Sequence, residues 1–254
     1  MGDNNLLIKL ENVSYAYPGG RPVLKNLFFG LRDGERIGLI GPNGSGKTTL
    51  FHVIMGLLRP TSGRIEIFGH EMGDEKDFGP VRQWIGMLFQ DADDQLFSPT
   101  VLEDVAFGPL NQGKSAKEAK DIARETLRSL GLKGFEDRIT HKLSGGEKKL
   151  VSLATVLAMK PRVLLLDEPT TGLDSETTER IVSILNDIAI SYIFISHNMD
   201  FIVQTTDKVY GMVDGQIFLE EEKIPHTHAH AHGYGRLPHT HSHRNNDLSN
   251  CKKP

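Results

Sequence analysis

Hydrophobic positions alternate with polar ones near the start of the chain and gather in short continuous runs further on. The alternation over residues 6–17 predicts an early strand of an antiparallel layer, and residues 23–31 predict a second strand. Continuous apolar runs predict strands buried on both faces, at residues 35–40, 84–89, from 163, and 192–196. A short strand at 64–68 and a strand pair ending near 219 complete the set. Helices are predicted at residues 47–57, 101–107, 115–130 and 175–189, with another after 144.

Strands that alternate with helices in this way predict an α/β fold with an added antiparallel β layer. Residues 91–160 are mostly helical in pattern, which indicates a smaller helical subdomain. At 254 residues and 38% hydrophobic content, the chain can bury the core of one such domain, predicted to span residues 6–222.

A glycine-rich loop separates the strand at 35–40 from the helix that follows it. Its eight residues fit the pattern G-x-x-x-x-G-K-[ST]: Gly41, Pro42, Asn43, Gly44, Ser45, Gly46, Lys47 and Thr48. Glycines let backbone N–H groups converge on phosphates at the positive end of the helix. Lys47 adds a cation near the β- and γ-phosphates, and Thr48 offers a hydroxyl to Mg²⁺. The position between a buried strand and a helix argues against a chance match.

Two acids, Asp167 and Glu168, end the buried run that starts at residue 163. Such a strand is expected to deliver carboxylates to a magnesium site. Adjacent strand residues point to opposite sides, so the two acids are not expected to ligate one ion equivalently. Without the phosphate loop, a structural acid pair at a strand end would be the better interpretation.

The segment Leu143-Ser144-Gly145-Gly146-Glu147 lies between the loop and the acids, and ordinary P-loop enzymes lack it. Ser144, Gly145 and Gly146 open a helix and so present backbone donors suited to a γ-phosphate. With these motifs in order, residues 6–222 resemble the ATP-binding subunit of an ABC transporter, a P-loop NTPase. The stretches 89–97 (FQDADDQLF) and 104–109 (DVAFGP) make it most similar to the energy-coupling-factor group, and within it to the cobalt/nickel type.

The resemblance implies roles for individual side chains around ATP and Mg²⁺. Asp167 would bind Mg²⁺ through water, and Glu168 would polarise the attacking water. Gln90 would contact both the metal and that water, so that Mg²⁺ is held through Thr48, Gln90 and Asp167. His197 would contact the γ-phosphate. Outside this family, a glutamine at a strand end is more often a surface amide, and a lone histidine after a strand is usually structural.

Other residues are implied in binding ATP from two different subunits. Tyr17 is the better candidate for stacking on adenine and Tyr15 the weaker one, and Thr49 joins the phosphate loop. Ser144, Gly145 and Gly146 would bind the ATP held by a second subunit. Asp174 lies in the loop that would link the two sites. One chain holds half of each site, so the resemblance implies a homodimer.

Composition limits the partners that the chain can have. The net charge of −4 gives no electrostatic case for binding nucleic acid. No apolar stretch approaches the ~18 residues that a membrane helix needs, and residues 1–5 do not resemble a signal peptide. Direct insertion into a membrane is therefore not expected. The resemblance instead implies a peripheral subunit on the cytoplasmic face, bound to integral membrane transporter subunits. The single cysteine, Cys251, excludes an intrachain disulfide and suits a reducing compartment.

The composition changes after residue 222, and residues 223–254 are predicted to be a disordered tail because they carry too few apolar groups to offset ordering entropy. The tail contains seven alternating histidines: His226, His228, His230, His232, His239, His241 and His243. In an extended chain, alternate imidazoles lie on one side and suit Ni²⁺, Co²⁺, zinc or copper. A purification tag or an inert low-complexity tail is the alternative.

The sequence thus predicts an ATP-hydrolysing subunit of a cobalt or nickel importer. Two ATP molecules would close the dimer, and the region near residues 90–108 would pass this movement to a membrane partner. A transporter of a vitamin or of an exported ion remains an alternative. An ABC ATPase acting on DNA or on the ribosome is disfavoured, because the sequence has neither a long coiled-coil insertion nor a second ATPase domain.

Overall fold

Two β-sheets and a group of helices make up the part of the chain that carries the predicted motifs. The computed structural model describes residues 5–219 in full, together with the backbone of residues 227–230 and 239–242. It divides into one unit that ends at Phe218 and a second that begins at Leu219. The sequence placed this boundary a few residues later, after residue 222.

The first sheet is the predicted antiparallel layer. Its four strands are β1 (Leu6–Ala16), β2 (Pro22–Arg32), β4 (Ser62–Ile67) and β5 (His70–Glu71), in the order β2-β1-β4-β5. The central strand β1 places Leu10 opposite Phe29 of β2 on one side and Ile65 of β4 on the other. All three side chains are buried, so this layer closes one side of the hydrophobic core.

The second sheet contains the buried apolar runs. Its strands are β3 (Arg36–Ile40), β6 (Ile85–Leu88), β7 (Val163–Asp167), β8 (Ser191–Ile195), β9 (Lys208–Val213) and β10 (Gln216–Leu219), in the order β10-β9-β3-β8-β7-β6. Five of them, from β9 to β6, pair in parallel. Every residue of β7 and β8 is buried, as the runs predicted. The carboxyl ends of parallel strands meet at one edge of a sheet, where ligands commonly bind.

Seven α-helices connect and flank these strands in residues 5–219: α1 (Lys47–Ile54), α2 (Glu75–Arg82), α3 (Val101–Asn111), α4 (Ala116–Ser129), α5 (Gly145–Leu157), α6 (Ser175–Asp187) and α7 (Met199–Thr205). Helices α3, α4 and α5 pack against one another within residues 91–160, for which the sequence predicts a helical subdomain. Thr100, Ser115 and Ser144 begin these three helices with capping boxes. None of the described helices combines the length and the hydrophobicity that crossing a membrane requires.

Three helices differ from the prediction. Helix α2 was not predicted, because Gly79 and Pro80 are helix breakers; a capping box at Asp74 and the burial of Phe78 and Val81 hold it together. Helix α3 continues four residues beyond its predicted end at Phe107, through Gly108 and Pro109. Helix α1 ends three residues early because Gly56 takes a left-handed φ of +67° just after it.

Two short strands lie in the histidine-rich tail, β11 (Thr227–His230) and β12 (His239–Ser242). They pair antiparallel, with His228 opposite His241 and His230 opposite His239. The prediction of a disordered tail did not include these strands. The remaining predicted tail ligands, His226, His232 and His243, lie outside the described residues, and so does Cys251.

Candidate functional site

The glycine-rich loop connects β3 to α1 at the carboxyl edge of the parallel sheet. Lys47, the first residue of α1, is buried, and its Nζ donates hydrogen bonds to the carbonyl oxygens of Gly41 (2.7 Å) and Pro42 (3.0 Å). Burial lowers the pKa of the Lys47 ammonium, while the nearby Glu168 and Asp167 carboxylates oppose this shift. The ammonium therefore lies inside the loop, within reach of a phosphate bound there.

The loop backbone depends on glycine at two positions where it meets the rest of the fold. Gly41 has a φ of +148°, and a Cβ there would lie 2.1 Å from the carbonyl oxygen of Met212. Gly46 has a φ of +109° and is similarly enclosed, because a Cβ there would lie 3.0 Å from the carbonyl oxygen of Val23. Between them, the buried Ser45 hydroxyl has no hydrogen-bond partner in the described part of the chain. A buried donor without a partner fits a phosphate oxygen, so the loop suits the nucleotide that its sequence predicts.

Thr48 and Asp167 meet across the cleft. The Thr48 hydroxyl donates to Oδ2 of Asp167 at 2.8 Å. Burial raises the pKa of the Asp167 carboxyl, and the Thr48 hydrogen bond and nearby cations counter part of that shift. A hydroxyl and a carboxylate side by side are the oxygen ligands that Mg²⁺ prefers. The donor set therefore fits magnesium, with the Gln90 side chain lining the same cleft.

Glu168, which lies one residue beyond the end of β7, faces a different set of partners from Asp167. Its Oε2 accepts a hydrogen bond from the Thr171 hydroxyl (3.0 Å), and its Oε1 lies 3.3 Å from Nε2 of His197. The backbone of Glu168 takes a left-handed φ of 45°, which is uncommon for a residue with a side chain. A buried carboxylate held in this way can accept a proton from a water molecule in the cleft.

The cleft has a volume of about 520 Å³. It brings together eleven of the predicted site residues: Tyr17, Asn43, Gly44, Gly46, Lys47, Thr48, Thr49, Gln90, Asp167, Glu168 and His197. Tyr17 is 45% exposed and its hydroxyl lies 3.3 Å from that of Thr49. Tyr15 is only 7% exposed and packs its ring edge-on against Tyr17. Tyr17 is therefore the ring that a nucleotide base can reach.

The residues expected to act on the ATP of a second subunit do not line this cleft. Ser144 caps α5 and Asp174 caps α6, where its carboxylate accepts the backbone N–H of Thr177 at 2.7 Å. A Cβ on Gly146 would lie 3.0 Å from the Thr177 hydroxyl, so the two helix ends are neighbours. Ser144, Gly145 and Asp174 are exposed. The structure thus groups these predicted residues on a separate, open surface.

Thr171 and Lys149 are polar residues at or next to the site that were not predicted from the sequence. Thr171, which orients Glu168, could have been found because it closely follows the acidic pair. Lys149 on α5 is 3% exposed, and its Nζ donates to the carbonyl oxygens of Phe89 (3.0 Å) and Gln90 (2.8 Å). Burial lowers the pKa of Lys149 to about 8, opposed by three nearby carboxylates. Nothing in the sequence distinguishes it from the adjacent Lys148.

No cluster of three or more His, Cys, Asp or Glu side chains suited to a metal ion was found in the described part of the chain. Of the Thr48–Asp167 pair, only Asp167 is one of these four residue types. The absence of a larger cluster therefore does not bear on the magnesium site.

Comparison with known proteins agrees with this geometry. The sequence pattern of the ABC transporter family matches residues 24–171. A relative from Methanothermobacter thermautotrophicus, named an energy-coupling factor transporter ATP-binding protein, is 44% identical over 84% of this chain and 70% of its own length.

Two solved structures share the fold. One is cbiO1 of Clostridium perfringens, described as part of the ABC transporter complex cbiONQ; it is 37% identical, with a TM-score of 0.76, over 85% of this chain and 88% of that one. The other is a dimeric ATP-binding cassette in a post-hydrolysis state with ADP and Pi; it is 29% identical, with a TM-score of 0.77, over 85% of this chain and 97% of that one. With its phosphate loop, its paired acids and the signature segment Leu143–Glu147 in one fold, this chain belongs to the ATP-binding family of ABC transporters and is an ATPase.

Proposed function

We propose that this ATPase is the ATP-hydrolysing subunit of an energy-coupling-factor importer, and that the imported ion is cobalt or nickel. It acts as a homodimer on the cytoplasmic face of the membrane, bound to integral membrane transporter subunits. The names of the similar proteins support this assignment, since one is an energy-coupling factor subunit and another is part of cbiONQ.

Within one cleft, each side chain has a separate task in hydrolysis. Glu168 accepts a proton from the attacking water, and Thr171 and His197 keep its carboxylate directed into the cleft. His197 also contacts the γ-phosphate. Lys47 moves its hydrogen bonds from the loop carbonyls to the phosphates. The adenine stacks on Tyr17.

Magnesium would be held by Thr48, Asp167 and Gln90. Bound there, it supplies positive charge next to the phosphate that is transferred.

The observation that best supports a dimer is the separation of the two halves of the predicted site. Ser144, Gly145 and Asp174 are exposed and lie away from the cleft of their own chain. The free end of α5 carries backbone donors suited to a phosphate. A second copy of the chain brings this surface to the γ-phosphate and completes each site.

An apolar surface beside Gln90 supports a protein partner. Phe97 is 67% exposed and Phe107 43% exposed, and their rings meet edge to face with centroids 4.7 Å apart. Phe97 also lines a groove of about 530 Å³ with Leu96, Pro99 and Ile139. Exposed apolar patches with a polar rim mark protein interaction sites. This groove receives the membrane subunit, which is thereby linked to Gln90 seven residues earlier in the chain.

The histidine-rich tail supports cobalt or nickel as the cargo. In the register of β11 and β12, His228 lies opposite His241 and His230 lies opposite His239. Imidazole is a common ligand of divalent nickel and cobalt.

Co-expression of this chain with the membrane subunits that co-purify with it, followed by reconstitution in liposomes, tests the proposal. We expect ATP-dependent uptake of Ni²⁺ or Co²⁺, and none when Glu168 is replaced by Gln. ATP-dependent uptake of a vitamin without metal uptake would leave the ATPase assignment intact and refute the cargo.

A further inference from the structure

One buried cation next to the cleft has no part in the proposed chemistry. Lys149 lies on the inner face of α5, and its ammonium donates to the carbonyl oxygens of Phe89 and Gln90, at 3.0 and 2.8 Å. It is 3% exposed, so water does not replace these bonds if they are lost. Its two acceptors follow directly after strand β6, where the chain leaves the sheet and enters the Gln90 segment.

The Gln95 side chain also connects the Gln90 segment to α5. The Gln95 amide oxygen accepts the backbone N–H of Phe89 at 3.2 Å. Its Nε2 donates to the carbonyl oxygen of Ser152 and to the hydroxyl of Thr155, both at 2.9 Å. Lys149 and Gln95 thus hold Phe89 and Gln90 against the middle of α5.

The amino-terminal end of α5 carries the signature residues Gly145 and Gly146, and Ser144 caps it. Lys149 lies four residues beyond Gly145, which is about one helical turn. Hydrogen bonds within the helix make this turn stiff, so a displacement of Ser144–Gly146 carries Lys149 with it. Since Lys149 donates a hydrogen bond to the backbone carbonyl of Gln90, the same displacement also moves Gln90, which lines the cleft of the same chain.

We propose that Lys149 is a positioning residue that fixes Gln90 relative to the signature end of α5. When the partner's ATP docks on Ser144–Gly146, Lys149 thereby sets the position of Gln90 in the cleft of its own chain. This inference rests on the proposed function, because the roles of Gln90 and of the signature residues come from it. Lys149 itself touches neither substrate nor metal.

The adjacent lysine, Lys148, provides a matched control. Lys148 is adjacent on α5, and its Nζ pairs with Asp93 at 2.5 Å, but Asp93 is 66% exposed. An ion pair with so much solvent contact contributes little. Lys148→Met therefore removes the same charge from the same helix, without touching the Phe89 and Gln90 carbonyls.

The test is a double-mutant cycle between positions 149 and 90, read as ATP hydrolysis by the full-length dimer. Lys149→Met should lower kcat by about tenfold or more, because small misplacements of a site group are costly. The Kd of the monomer for ATP should change by less than about twofold, since Lys149 does not contact the nucleotide. Lys148→Met should stay within about twofold of wild type in both quantities.

The cycle separates positioning from a general structural role. If Lys149 acts through Gln90, then Lys149→Met should cost no more than about a further twofold in kcat when Gln90 is already Ala. Full additivity of the two losses, or a wild-type kcat for Lys149→Met, would overturn the proposal. Lys149→Arg keeps the charge and should regain part of kcat; if the Met variant does not fold, the Arg variant takes its place in the cycle.

The single variant Gln90→Ala is measured in the same series. A wrong role for Gln90, which comes from the proposed function, therefore appears as wild-type hydrolysis by that variant, whereas a wrong role for Lys149 appears only in the Lys149 variants.

Discussion

Replacing Glu168 by Gln removes one proton acceptor and changes little else in the cleft. The Glu168 carboxylate is buried and has fixed partners at 3.0 Å (Thr171) and 3.3 Å (His197). Glutamine has the same length, and its amide oxygen can still accept the Thr171 hydrogen bond. The left-handed backbone at residue 168 is unaffected, because both side chains branch only at Cδ.

The expected magnitude follows from the loss of general-base catalysis alone. Such a base contributes about 10²–10⁴-fold in rate. This range corresponds to about 3–5 kcal/mol in the activation free energy. The Kd for ATP should stay within about twofold, because the loop, Lys47 and Thr48 are untouched. With ATP bound but not hydrolysed, the variant should accumulate as a closed dimer.

Three measurements on one preparation test this reasoning. Phosphate release at saturating ATP gives kcat, a fluorescent nucleotide gives Kd, and size exclusion with ATP gives the oligomeric state. Glu125→Gln, the same substitution at an exposed position of α4, is the control and should behave as wild type. Hydrolysis near the wild-type rate, or a variant that stays monomeric in ATP, would refute the assigned role of Glu168.

Three further predictions concern the dimer, the core and the tail. Ser144→Arg should impair hydrolysis without weakening ATP binding to the monomer. Dimers with Ser144→Arg in one chain and Lys47→Ala in the other should retain activity at one intact site, and dimers with both changes in one chain should be inactive; the reverse result would place both residues in a single-chain site. Burial raises the pKa of Tyr192, which donates to Thr205, to about 12. The unfolded chain ionises nearer pH 10, so the free energy of unfolding should fall by up to about 2–3 kcal/mol between pH 10 and 12. Urea unfolding should show that Tyr192→Phe lacks this loss; an equal loss in both proteins would contradict it. Truncation after Glu222 should abolish Ni²⁺ binding in isothermal titration and leave ATP hydrolysis unchanged. Full-length protein should bind Ni²⁺ more weakly at pH 5.5 than at pH 7.5, because imidazoles protonate near a pKa of about 6.5. Equal Ni²⁺ binding by the full-length and truncated proteins would move the site away from the tail.

The sequence is most informative for features that follow from a local rule of protein structure. The sequence predicts that Thr48 and Asp167 serve one magnesium site, and both lie at the edge where the carboxyl ends of the parallel strands meet. The Thr48–Asp167 distance of 2.8 Å agrees. The spacing of Ser115 and Glu118 is likewise typical of a capping box, and α4 begins there.

Other features depend on contacts between distant segments and could not be predicted. Lys148 and Lys149 look alike in sequence, and only the approach of Phe89 to α5 decides which of them is buried. Helix α2 exists because Phe78 and Val81 find apolar partners, which overrides the breakers between them. The order of strands in the parallel sheet is also absent from the sequence pattern, since any buried run can pair with any other.

That strand order has a consequence for the newly made chain. Strand β3, which leads into the phosphate loop, lies between β8 and β9, whose residues are made more than 150 positions later. The loop also contacts Met212, and its Ser45 carbonyl accepts the backbone N–H of Gly215 at 3.1 Å. A nascent chain therefore carries the complete nucleotide motif long before it can hold that motif in shape. Pairings over such sequence separations form slowly, so the loop takes its shape only after β8 and β9 have been made. A chain released from the ribosome before that point would lack the strands that pair with β3 on both sides.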